Sequence, residues 1–136
     1  MSLTILMTKM FTKKIKIPIF NQDVNLICGN FQESVEYLSH LHGKDIILMD
    51  NIDGICYTID EQIYLILDAG YITLPVIVHE SAHATFELMN IVGLNIDDQE
   101  AFCYIQSFIV EEILCILSIP TDPINLLSEQ EDTEQL

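Results

Sequence analysis

A chain of 136 residues is the size of one domain, and with half of its residues apolar it has material for a real core. Its 21 acidic residues stand against five lysines and no arginine, a formal charge of −16. A surface of that sign repels phosphate backbones, so a nucleic-acid partner is disfavoured, while solubility and basic or unfolded partners are favoured.

In chain order, residues 14–19 alternate polar and apolar up to Pro18, which predicts an edge strand. Asp23–Cys28 reads as a second strand. Gly29-Asn30 then punctuates, and Gln32–His42 reads as a helix with Val35, Leu38 and Leu41 on one face and Gly43 closing it. Asp50-Asn51 and Asp53-Gly54 are turn chemistry. Ile55–Ile59 and Gln62–Leu67, separated by Asp60-Glu61, form a hairpin pattern. The second of these runs is also a candidate sheet edge, where an extended peptide could pair. Residues 73–91 follow as a long helix, with Thr73 a cap, Pro75 in its first turn and Gly93 its end. Asn95, Asp97 or Asp98 caps a last helix reaching about Ser118, which Pro120 and Pro123 stop. The expected fold class is α+β: a small, mainly antiparallel sheet on one side and a helical pair on the other. Residues 1–127 form the expected domain, and 128–136 are acidic and polar enough to read as a disordered tail.

Ala101–Ile119 is apolar enough to need a membrane check, but Gln106, Ser107, Glu111 and Glu112 lie within it, and charges near the middle of a span are costly. A buried amphipathic helix is the better reading, and no membrane partner is expected. Cys28, Cys56, Cys103 and Cys115 are dispersed with no C-x-x-C pair, so they read as reduced thiols acting as small core residues. Met1–Phe11 has no secretory pattern. The expected location is the cytoplasm. No feature sets an oligomeric state.

The chemistry lies in His79-Glu80-Ser81-Ala82-His83, which fits H-E-x-x-H inside the long predicted helix. Residues four apart share a helix face one turn apart, so two imidazoles so placed reach one zinc ion. Glu80 projects beside the metal rather than onto it, where it can take a proton from a water. The competing reading makes His79 and His83 ordinary surface or core histidines.

A catalytic zinc usually has three protein ligands and one open position. No histidine follows His83, and Phe86 and Met89 exclude the metzincin pattern, so the third ligand is a carboxylate, a cysteine or a tyrosine. Glu100, 17 residues after His83 and in the first turn of the next helix, is the leading candidate, with Asp97 and Cys103 behind it. The bland alternative is a capping box with Asp97 as the cap and Glu100 three residues on. Glu100, Tyr104, Ser107 and Glu111 form one polar stripe on an apolar helix, as residues lining a cleft around the metal would. Tyr104 is positioned to polarise a bound carbonyl, and Asp97 or Asp98 to orient a histidine through its second nitrogen. His40 and His42, two apart, point different ways on a helix and read as surface residues. Tyr71 reads as a packing residue.

The stretch from Ile77 to Ile113, with His-Glu-Ser-Ala-His-Ala and then Asp-Asp-Gln-Glu-Ala-Phe-Cys-Tyr, resembles gluzincin-type metallopeptidases. Within that type it is similar to small phage- or prophage-encoded zincin-like proteins and to ImmA/IrrE-type peptidases. The resemblance covers about 40 residues well. It implies zinc ligands at His79, His83 and Glu100, with Glu80 as general base. The chain departs from larger peptidases of this type in its shortness, in lacking arginine and in having no histidine to stabilise an oxyanion.

The expected function is therefore zinc-dependent hydrolysis of a peptide or protein substrate, with Glu80 and Tyr104 as catalytic groups and Zn2+ as cofactor. Two other readings compete. One is a non-catalytic zinc-stabilised interaction protein of phage or mobile-element origin. The other is an acidic DNA mimic that inhibits a basic host protein.

Overall fold

A computed structural model describes residues 9–46 and 53–119. Strand β1 (Phe11–Ile17) turns its lysines to solvent and buries Ile15 and Ile17. It pairs antiparallel with β2 (Gln22–Gly29). Pro18 lies just past β1, where its missing N–H removes no ladder bond. Helix α1 (Phe31–His42) begins at Asn30, whose side chain accepts from the Glu33 N–H at 3.1 Å. The hairpin follows, as β3 (Gly54–Ile59) and β4 (Gln62–Asp68). Its turn residues Asp60 and Glu61 both have positive φ, 51° and 62°, in a two-residue turn that favours Asn-Gly. Lys44 Nζ holds the Asp60 carboxylate at 2.8 Å.

The strands lie in the order β1-β2-β4-β3, with β2 and β4 parallel and the other two pairs antiparallel. The class is α+β, with a mainly antiparallel sheet packed on the motif helix and its successor. Two details differ from the sequence reading. The run 62–67 is central rather than an edge, and β3 takes the edge beside it. Ile63 to Leu67 are all buried, as suits a strand covered on both faces. The sheet also carries helices on both sides. Ile27, Tyr64 and Ile66 face α1 through Phe31, Val35 and Leu38. Val24, Leu26, Cys28, Ile63, Leu65 and Leu67 face the helical pair.

That pair is α2 (Leu74–Val92) and α3 (Gln99–Ile116). Thr73 caps α2, accepting from the Val76 N–H at 3.3 Å, and Pro75 sits in the first turn. Gly93, at φ 79°, supplies the left-handed residue that ends α2. Asp98 caps α3, accepting from the Ala101 N–H at 3.1 Å. Ile77, Leu88 and Met89 of α2 and Ile105, Ile109 and Ile113 of α3 are fully buried against the sheet. Each contributes about 1.5–3 kcal/mol by leaving water, which fixes which faces the two helices turn outward. Among the described residues no helix is long and apolar enough to cross a membrane. The acidic segment 128–136 lies outside the described residues.

Candidate metal centre

Because Ile77, Ala84 and Leu88 pull one side of α2 onto the sheet, His79 and His83 stand on the opposite, exposed side. Their Nε2 atoms are 3.2 Å apart, and the rings meet edge to face at a centroid distance of 4.9 Å. Two nitrogens each bound 2.0–2.1 Å from a tetrahedral zinc are separated by about 3.3–3.4 Å. The donor pair thus has the spacing the ion requires, and imidazole nitrogen is a normal zinc donor. The same spacing serves a ring-to-ring hydrogen bond when no ion is held.

Glu80, between them in sequence, points elsewhere. It is only 7% exposed and lies where α2 meets the edge strand β3. Burial raises its carboxyl above the usual range, and the nearby rings of His83 and His79 oppose that rise. A carboxylate whose affinity for protons is raised by burial accepts them more readily than an ordinary surface one. Two turns on, Glu87 Oε2 accepts a hydrogen bond from Thr58 Oγ1 at 2.9 Å, a second tie between α2 and β3.

Cys56 lies on the same strand face. Burial first, then Glu80 and Glu87, push its thiol up to about 12. It is a neutral core thiol, and so is Cys28, raised to about 12 by burial. Cys103 and Cys115 depart from the core reading. Both are exposed, because the helix period places them off the Ile105, Ile109 and Ile113 face. All four thiols are free.

Helix α3 runs antiparallel to α2. Phe102 stacks on Phe86 with centroids 4.8 Å apart, and Gln106 Nε2 donates to the Val78 carbonyl at 3.3 Å. Glu100 lies two residues from Phe102, roughly 200° around the helix from it. Glu100, Tyr104, Ser107 and Glu111 face solvent, as the polar stripe suggested, and with Cys103 and Phe108 they line an open groove along α3. The structure therefore brings together the rings of His79 and His83, with Glu80 buried on the adjoining side of α2 against β3. It places Glu100 and Tyr104 apart from them, in a groove lined by α3 residues. Among the described residues no group of three or more His, Cys, Asp or Glu side chains is placed to hold a metal.

The capping alternative for Glu100 fails, since the cap is Asp98 and Glu100 is the second helical residue, one short of the capping-box position. Asp98 is engaged by the Ala101 N–H, and the Asp97 N–H donates to Asn95 Oδ1 at 2.9 Å. Among the described residues neither carboxylate is hydrogen-bonded to a histidine. Tyr71, read as a packing residue, is exposed.

Two features escaped the sequence. His42 is no surface residue: its side chain is 9% exposed, Nε2 lies 2.7 Å from Tyr64 Oη, and Nδ1 lies 3.3 Å from Asp60 Oδ2. Gly54, which reads as turn chemistry, is buried against Glu80. The partners of His42 lie 18 and 22 residues on, and Glu80 lies 26 beyond Gly54, so no local signal links them. Compared with known proteins, the chain matches no family model, no curated protein and no solved structure.

Proposed function

We propose that this protein is a zinc-dependent peptidase. The observation that carries the reading is the His79 and His83 Nε2 pair, 3.2 Å apart on an exposed helix face, with the buried carboxylate of Glu80 at its side. In this reading His79 and His83 would hold the ion through Nε2, with Glu100 on the outward face of α3 as the proposed third ligand. When bound, zinc supplies Lewis-acid polarisation and an acidified water. Glu80 accepts the attacking water's proton at its carboxylate and passes it to the leaving amine nitrogen. The Tyr104 hydroxyl would donate a hydrogen bond to the scissile carbonyl oxygen and polarise it, keeping its proton. An extended peptide would lie along β3, which is the sheet edge next to Glu80. The four free thiols suit a reducing compartment, the cytoplasm.

The test is Glu80→Gln assayed on a quenched fluorescent peptide library. Zinc content stays at the wild-type level, and kcat falls by about 100- to 10,000-fold. An unchanged rate removes Glu80 from its role. A non-catalytic, zinc-held interaction protein is the second reading. The separation of Glu100 from the histidines favours it, because a partner could then supply the remaining ligands to an exposed pair. It predicts bound zinc and no hydrolysis by the wild type.

A further inference from the structure

Glycine at position 54 has no backbone reason. The positive-φ glycines are Gly29, Gly43 and Gly93, so Gly54 has no left-handed conformation for which glycine would be needed. What it requires is room. A Cβ at this position would stand 2.9 Å from Glu80 Cγ, 3.1 Å from Val76 Cγ1 and 3.2 Å from the Ile66 carbonyl oxygen. The last of these belongs to the backbone of the central strand β4 and cannot give way. Farther along the same face of β3, Cys56 and Thr58 carry side chains, and Thr58 reaches Glu87 by a hydrogen bond. Helix α2 thus comes close to the edge strand where Val76 and Glu80 sit, with no room for a side chain between.

We propose that Gly54 is a positioning residue for Glu80. The missing side chain leaves a slot for the aliphatic stem of Glu80 against β3, and the slot fixes where the carboxylate stands relative to His79 and His83. A methyl group in the slot forces the stem to swing or α2 to lift, and either displaces the carboxylate. The slot itself stands on geometry alone. Its catalytic consequence rests on the reading of Glu80 as the base.

A double-mutant cycle separates the two. Gly54→Ala lowers Tm by roughly 5 °C or more in the wild-type background, since overpacking of this kind is costly. In the Glu80→Ala background, where the stem is gone, the same change costs less than half as much. A Gly54→Ala chain that folds only when Glu80 is also replaced gives the same answer. Equal losses in both backgrounds overturn the slot, whatever Glu80 does chemically. For the catalytic consequence, Gly54→Ala loaded with zinc is assayed beside Glu80→Gln. The expected result is a kcat lowered about tenfold or more with KM and zinc content unchanged. An unchanged kcat in folded, zinc-loaded Gly54→Ala overturns that part even if Glu80→Gln is inactive.

Discussion

His42 and the pair His79 and His83 sit on opposite sides of the sheet, and they are used differently. At the end of α1, His42 has both ring nitrogens occupied, by Tyr64 Oη and by the Asp60 carboxylate, which Lys44 also holds. Tyr64 in turn donates to Gln62 Oε1 at 2.7 Å. The cluster pins a hairpin turn whose two residues adopt positive φ. On α2, the Nε2 atoms of His79 and His83 face one another at the surface. A histidine whose nitrogens are spent on core neighbours is building material, whereas a pair whose nitrogens converge on each other at the surface can bind something else. Spacing separates the cases as well: two residues apart the rings diverge around a helix, and four apart they stack one turn above the other.

The sharpest way to break this contrast is to remove one ring from each side. His42→Ala removes the ring that joins Tyr64 to the Asp60 carboxylate and is expected to destabilise the fold by about 1–3 kcal/mol in a urea titration. Its zinc content should stay at the wild-type level. His79→Ala is expected to change the stability of the metal-free protein by less than about 0.5 kcal/mol, because the ring is exposed and holds nothing in the core. If both variants lose the same stability, the division between building material and ligand fails.

A smaller effect comes from the core between the sheet and the helical pair. The Cys28 thiol keeps its proton up to about 12 in the folded chain, whereas an unfolded thiol releases it near 8.5. The folded state therefore binds more protons in that window. Its contribution is whole below about pH 8.5 and is lost as pH rises towards 12, by about 1.4 kcal/mol per pH unit. Urea titrations of the wild type and Cys28→Ala across this range should show the slope reduced by that amount in the variant. Equal slopes would mean that Cys28 is not held neutral by burial.

The local features of this fold were written plainly in the sequence. Thr73, Pro75 and Gly93 mark the ends of the motif helix, Gly43 closes the first helix, and Asp60-Glu61 splits the hairpin. Each depends on neighbours a few residues apart. The strand order was less legible, because pairing β4 beside β2 is a choice between distant segments. Even so, the unbroken apolar run Ile63 to Leu67 carried the signature of a central strand, where an edge strand would have alternated. The histidine pair and Glu80 were legible through their spacing. The slot at Gly54 and the partners of His42 were not, since they arise only once β3 and β4 have paired and docked. The polar stripe Glu100, Tyr104, Ser107 and Glu111 was legible as a stripe, but its distance from the histidines depends on how α3 is rotated against α2 through Phe102 and Gln106.

The central claim is that the α2 histidine pair binds zinc and that Glu100 completes the ligand set. Elemental analysis of purified wild type, His83→Ala and Glu100→Ala tests it most directly. The account predicts about one zinc per chain in the wild type and less than about a tenth of that in both variants. A wild type without zinc, or a His83→Ala chain that keeps it, would contradict the metal site, and a Glu100→Ala chain that keeps it would contradict the third ligand.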